Sequence, residues 1–280
     1  MEVVERIRRA GTALTAAERR VAEVVLARPQ LVGFGTVADL AEAATAGAAT
    51  VVRLAAKLGF DGFSALQASV QDDLARQLRP AAERIRELDG DAPIERHRGA
   101  ELSNVQATLD GVDPAALDAV VDLLVDPERD VFVLSGDAER GIAHQFAYEF
   151  STLRPGVGLL GGSDVMVRRA VALSRPGATV VVIDLRRYER WVLDAIEQCR
   201  EHGHTIVALS DGLLSPLAMA AKHAFVVAAA SVSPFDSHVG TLALLDLIVA
   251  SSAERLKDTA ADRLEQVEAA WASGDSLTLE

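Results

Sequence analysis

Apolar residues recur at helical spacing through the first 80 positions and in short unbroken runs after residue 130, and this change of period divides the chain. Val3, Val4, Ile7 and Leu14 carry an early apolar pattern. Thr15-Ala-Ala-Glu18 fits a capping box, in which hydroxyl and carboxylate reciprocally satisfy exposed backbone amides. The helix predicted from it passes through Val21, Val24, Val25 and Leu26 and stops before Pro29. Thr36 caps a second segment over 37–44. A short break, Thr45-Ala46-Gly47, leads into a helix over 48–58, with Gly59 suited to its C-terminal cap. Phe60-Asp-Gly-Phe63 closes the unit, and 64–78 is a further helix.

Between 80 and 130, Pro80, Asp89-Gly-Asp91, Pro93 and Gly99 punctuate the chain and acids outnumber bases 13 to 5. This predicts a helical connector with a loop near 89–99, then a helix over 115–125. From 131 onward, Val131-Phe-Val-Leu134, 157–160, Thr179-Val-Val-Val-Ile183, 204–209 and 224–228 are apolar on both faces and separated by helices. That pattern predicts a mainly parallel five-stranded sheet covered on each side. Such sheets bind ligands at the carboxyl ends of their strands, here 135–141, 161–164, 184–190 and 210–216. An apolar helix over 239–256 and a charged one over 258–271 follow. The expected architecture is multidomain: an all-α unit at 1–78, a connector at 79–114, a three-layer α/β sandwich at 115–257 and a tail at 258–280.

Charge sharpens this division. The net charge is −13, which taken whole argues against a nucleic-acid partner. The first 80 residues, however, hold 10 Lys and Arg against 9 acids, and the remaining 200 hold 18 against 32. The head is near neutral and the body acidic, so repulsion between body and DNA would leave docking to the head. A single Cys, Cys199, excludes an intramolecular disulfide and a Cys-based zinc finger. The N-terminal residues lack a signal-peptide pattern, and the most apolar stretch, 239–253, contains Asp246 and falls short of a membrane span. A soluble, cytoplasmic protein without membrane association is expected.

Two short helices joined by a tight break are the pattern of a helix-turn-helix. In the second, Val51, Leu54, Ala55 and Leu58 face inward, and Thr50, Arg53 and Lys57 are expected on the other side. Gly47, Ala48 and Ala49 let the backbone approach a groove, Thr50 can donate to a base or phosphate, and Arg53 and Lys57 can meet phosphates or guanine edges. With Thr36 they form the candidate DNA-binding set; the plainer alternative is a helical bundle with a solvated Arg and Lys. The segment LTAAERRVAEVVLARPQLVGFGTVADLAEAA and the following AATVVRLAAKLGFDGFSALQ closely resemble the N-terminal domain of the RpiR/MurR family of bacterial transcriptional regulators. The shared motifs are Ala17-Glu18-Arg19-Arg20, Val37-Ala-Asp-Leu-Ala41, Ala49-Thr-Val-Val-Arg53 and Lys57-Leu-Gly-Phe-Asp-Gly-Phe63. The resemblance implies a C-terminal sugar isomerase (SIS) domain that binds phosphosugars or related metabolites. Leu209-Ser-Asp-Gly-Leu-Leu-Ser-Pro-Leu-Ala218 and 233–237 are similar too. One departure is Thr45-Ala46-Gly47, where the family usually carries a Gly-Val-Ser type turn; Gly caps without a side-chain acceptor.

A second departure lies in the ligand loops. Phosphosugar-binding SIS domains place Ser or Thr hydroxyls there, beside free amides. Here the first loop is Ser135-Gly136-Asp137-Ala138-Glu139-Arg140-Gly141, and the second is Asp184-Leu-Arg186-Arg187-Tyr188-Glu-Arg190. An acid in a phosphate pocket repels the ligand unless balanced. Three readings remain open. Arg186, Arg187, Arg140 or Arg190 replace the hydroxyls and grip an anion; Asp184 and Glu139 read hydroxyl or amino groups; or the charges pair internally and the pocket is vestigial. Ser135, Tyr188, Ser210, Ser215 and Ser237 remain as hydrogen-bonding groups.

No metal, cofactor or catalytic residue is assigned. His202-Gly-His204 fits a solvated turn better than a metal site, His144 and His238 receive no role, and Cys199 fits a buried helix position. There is no G-x-S-x-G, P-loop or dinucleotide fingerprint. The expected protein is a regulator in which metabolite occupancy of the body sets the spacing of DNA-binding heads in a homodimer or homotetramer on a palindromic operator. The helices at 239–256 and 258–271 are the candidate self-association surfaces, unless they close the body's own core. The rival classes are a sugar-phosphate isomerase and a DNA-binding protein without a metabolite response.

Overall fold

The computed structural model describes residues 3, 6, 7, 10, 14–78, 81–87, 92–213, 215–274 and 276. The chain divides into two compact units, 1–89 and 90–280. Val4, Pro80 and the turn at 89–91, used in the sequence reading, lie outside the described residues.

The first unit comprises α1 (Ala16–Ala27), α2 (Pro29–Phe34), α3 (Val37–Ala43), α4 (Ala48–Lys57), α5 (Gly62–Leu78), the short α6 (Ala81–Arg84) and a 3-10 turn at Ile85–Glu87. Thr15 opens α1 with the expected capping box: its hydroxyl accepts from the Glu18 amide, and the Glu18 carboxylate accepts from the Thr15 amide at 2.8 Å. Pro29 does more than end α1. It takes the first position of α2, where the missing N–H costs nothing. The Gln67 side chain donates to the Val32 and Gly35 carbonyls and Gln71 to that of Gly33, satisfying the end of α2. Val21, Val25, Val32, Leu40, Val51, Leu54 and Leu66 form the core.

The second unit opens with α7 (Pro93–Asp110) and α8 (Pro114–Val125). The segment from Pro93 onward, read as part of a loop and connector, is helical because proline is preorganised at a first helical turn. Five parallel strands follow: β1 (Val131–Ser135), β2 (Val157–Leu160), β3 (Thr179–Ile183), β4 (Thr205–Ser210) and β5 (His223–Val226). They lie in the order β2-β1-β3-β4-β5, within one or two residues of the predicted runs. Between them run α9 (Arg140–Leu153), α10 (Asp164–Leu173), α11 (Arg190–Glu201) and α12 (Pro216–Ala220). Alternation sends Val133, Val181, Ile183, Val207 and Leu209 into one core and Leu134, Val180, Val182, Ile206 and Ala208 into the other. All of β3 is buried.

The last helix, α13 (Val239–Ser273), is interrupted at Lys257 (φ 38°), which separates the two helices expected at 239–256 and 258–271. Leu244, Leu245 and Ile248 are buried in the core of their own unit. Helix α7 pins the chain between β5 and α13. The Asn104 amide exchanges two hydrogen bonds with the backbone of Ala230, at 2.7 and 3.0 Å, and the Thr108 hydroxyl accepts from the Ala228 amide at 2.9 Å. The crossing with α13 is close: a Cβ on Gly240 would stand 2.5 Å from the Ala228 carbonyl and 2.7 Å from Thr108 Oγ1. Among the described residues, no helix is long and apolar enough to cross a membrane.

Candidate functional site

The first candidate site is the outer face of α4. Thr36 caps α3, its hydroxyl and amide both engaged by Asp39, and these bonds hold the Asp39 carboxyl below its ordinary range. The turn between α3 and α4 contains Thr45 with φ 47°. The Arg20 guanidinium steadies it by donating to the Ala44 and Thr45 carbonyls at 3.3 and 3.1 Å. Gly47 caps α4 without a side-chain bond, and a Cβ there would meet open space. Ala48, Ala49 and Arg53 are exposed, whereas Val51, Leu54, Ala55 and Leu58 are buried, as expected.

The expected stripe of Thr50, Arg53 and Lys57 needs correction. Thr50 is buried at 7 % exposure, and its hydroxyl accepts from Arg53 Nη2 at 2.9 Å. Lys57 turns toward α1 and pairs with Glu18 Oε2 at 2.8 Å. That pair and the capping bonds hold the Glu18 carboxyl down at about 2. The spacing of the stripe was real, but it runs along the flank of α4. On a wheel of 3.6 residues per turn, Val52, Ala56 and Ala49 centre the outer face and Arg53 stands beside them. Glu18, expected only as a capping residue and part of a shared motif, and Arg20, part of the same motif, tie α4 and its turn to α1.

The second candidate site is the crevice at the carboxyl ends of β1 and β3. From β1 the chain crosses to β2 on one side and later to β3 on the other, so the loops after β1 and β3 diverge there; this is the topological switch point where such sheets bind ligands. The structure brings Gly136, Glu139 and Asp184 together at it. A Cβ on Gly136 would lie 2.7 Å from Asp184 Oδ1 and 2.8 Å from Glu139 Oε2. Gly136 thus leaves the room into which two carboxyls close, and a side chain there would have to push them aside. Glu139 and Asp184 are 4 % and 3 % exposed. Among the described residues, no ion pair joins either to a cation. Burial and the neighbouring Asp184, Glu189 and Asp236 charges push Glu139 up to about 8. Burial, with Glu189 and Asp211, pushes Asp184 up to about 6, against a lowering hydrogen bond from the Glu189 amide. Two like charges this close do not both ionise cheaply.

The other expected ligand residues scatter around this pair. Asp137 pairs with Arg140 on the surface, and its amide donates to Glu189 Oε1 at 2.6 Å. Trp191 Nε1 donates to the other oxygen of Glu189. A protein carboxylate therefore occupies an amide of the first loop. Arg186 faces Asp236 at 3.2 Å. Arg187 is exposed with φ 69°, and Arg190, which starts α11, is exposed too. Tyr188 donates to Asp211, Ser135 is half-buried at the end of β1, and Ser237 turns away to donate to Glu101. The sequence reading did not single out Glu189, Asp236, Asp211 or Glu101 as site residues. Glu189 lies within the second loop, Asp211 within the strand end at 210–216 and Asp236 within the similar segment 233–237; Glu101, distant in the chain, carries no local signal.

His202 and His204 do not form a solvated turn. His204 is buried, with Nε2 2.9 Å from the Ser174 hydroxyl, and burial lowers its pKa. Cys199 is fully buried, which pushes its thiol up to about 11. His144 is exposed, and His238 Nδ1 is buried without a partner among the described residues.

Residues 1–77 match the helix-turn-helix domain of the rpiR family, and 124–251 match the SIS domain. The chain is 29 % identical to the HTH-type transcriptional regulator HexR of Pseudomonas aeruginosa, covering 78 % of this chain and 76 % of that protein. Against HexR of Escherichia coli the identity is 25 % over 96 % of this chain and 94 % of the relative. Among solved structures, the sugar isomerase domain of an RpiR transcription factor from Sphaerobacter thermophilus aligns at 26 % identity with a TM-score of 0.58, over 62 % of this chain and 97 % of that one. The Vibrio vulnificus NanR protein complexed with ManNAc-6P shares the fold, with a TM-score of 0.58 at 19 % identity over 97 % of this chain and 98 % of that one.

Proposed function

Because the chain belongs to the rpiR family of transcriptional regulators, a helix-turn-helix domain followed by an SIS domain, we propose that its first unit docks on duplex DNA and its second senses a sugar-derived metabolite. The observation that carries the first part is α4 itself: its inner face is locked into the core, its charged flank is tied back, and its outer face is open. A helix so presented fits the width of a major groove. Thr36 and Gly47 lie at the starts of α3 and α4, where backbone amides can meet phosphates.

For the second unit, the proposed effector is a sugar phosphate or another anionic sugar derivative held at the β1–β3 crevice. Glu139 and Asp184 are suited to sugar hydroxyls, which a carboxylate accepts and a protonated carboxyl donates to. Arg140, paired with Asp137, and Arg187 and Arg190 are the exposed cations of the two crevice loops, and an anionic group reaching the Asp137 amide must displace Glu189 from it. A two-fold dimer on a palindromic operator, in the cytoplasm, completes the reading. A regulator is favoured over an isomerase because relatives along most of the chain are named as regulators and because a DNA-binding unit is joined to the sheet.

Fluorescence anisotropy of the full chain with duplexes from its own upstream region tests this. Binding at low salt that is altered by one of a panel of sugar phosphates and sugar acids is expected. An absence of binding at low salt overturns the regulator reading. Binding that no panel member alters, with no thermal shift from any of them, overturns the sensing part.

A further inference from the structure

The outer face of α4 carries almost no hydrogen-bonding side chains. Ala48, Ala49, Val52 and Ala56 are exposed, Val52 at 44 %. Thr50, which could have donated to a base, is buried and accepts from Arg53. Lys57 is drawn to Glu18. Arg53 remains the polar side chain on this face, and its bond to Thr50 holds the guanidinium close to the helix while leaving other N–H donors for a guanine edge.

In the major groove each base pair offers a distinct set of groups, and only thymine offers a methyl. A surface of methyl groups can distinguish bases there by apolar contact alone. Resting on the DNA-binding reading, we propose that α4 recognises its site through thymine methyl groups, with Val52, Ala49 and Ala56 as the reading surface and Arg53 beside them reading a single guanine. Val52 is the sharpest element because its side chain is the largest of the three and is 44 % exposed. The site this face selects is a short run of A·T pairs carrying thymines at fixed positions, next to one G·C pair. Phosphate contacts then supply affinity without sequence information.

Selection of duplexes from a random library by the full-length protein, followed by replacement of each thymine by uracil in the winning duplex, tests this. Uracil keeps the pairing and removes only the methyl. At one or more positions, affinity should fall about fourfold, the worth of one methyl-sized contact. Val52→Ala, which lies on the surface and should melt like the wild type, should lose a similar factor on the thymine duplex and lose nothing more on the duplex with uracil at its own position. Uracil substitutions that leave affinity unchanged throughout, or losses that multiply independently with Val52→Ala at every position, overturn the methyl reading while DNA binding stands. Failure to enrich any duplex at low salt overturns the DNA-binding reading, and this inference with it.

Discussion

Replacing Glu139 by Gln should stabilise the second unit, and by more as pH rises. Glu139 is 4 % exposed beside Asp184, and its pKa is raised from 4.5 to about 8. The folded value exceeds the unfolded one, so its full contribution to stability is present below pH 4.5 and is lost as pH rises through 8. At about 1.4 kcal/mol per pH unit, the ionisation penalty that develops between pH 5 and 8 is about 3 kcal/mol. Gln keeps the shape and cannot ionise. Both tryptophans, Trp191 and Trp271, lie in the second unit, so urea unfolding of the full chain followed by fluorescence reports on that unit. The stability difference between Glu139→Gln and wild type should widen by about 3 kcal/mol from pH 5 to pH 8. A difference constant to within about 0.5 kcal/mol over that range would show that the pair is not desolvated as described.

Arg53→Ala should weaken operator binding by about 1–3 kcal/mol with the first unit still folded, as read by anisotropy and circular dichroism; unchanged affinity would remove Arg53 from the interface. Gly240→Ala places a Cβ 2.5 Å from the Ala228 carbonyl and should cost roughly 1–3 kcal/mol in urea unfolding, because backbone on both sides resists movement. An unchanged midpoint would show that the crossing is looser than described. The Glu18 carboxyl is held at about 2, below its unfolded value, so its contribution is present above pH 4.5 and lost as pH falls toward 2. Glu18→Gln should therefore flatten the acid side of the first unit's stability, followed by helical circular dichroism, and wild-type and variant profiles that run parallel would count against the Lys57 pairing.

Local chemistry made much of this fold readable. Apolar runs such as Thr179 to Ile183 have one use in a covered parallel sheet, and Thr15 with Glu18 or Gly59 with its φ of 79° satisfy needs that arise within a few residues. What escaped depended on distant partners. The spacing of Thr50, Arg53 and Lys57 put them together, but Glu18, from another helix, decided where Lys57 points. Pro93 looked like a loop marker until its place at the start of α7 gave it a helical role. In the crevice, Glu139 and Asp184 were visible as oddities, yet their approach over Gly136 depends on which strands become neighbours. The pairing of Arg186 with Asp236 joins residues 50 apart in sequence.

The grip of Asn104 on Ala230 has a mechanical consequence. Between Ala230 and α13 the chain carries Asp236, which faces Arg186, and Ser237, which donates to Glu101 one turn before Asn104. This strap is fastened at one end to the crevice loop and along its length to α7, the first helix after the DNA-binding unit in the chain. A metabolite that drew Arg186 away from Asp236 would slacken the first fastening while the second held. The Glu101 and Asn104 clasps would then be what still ties the strap to α7.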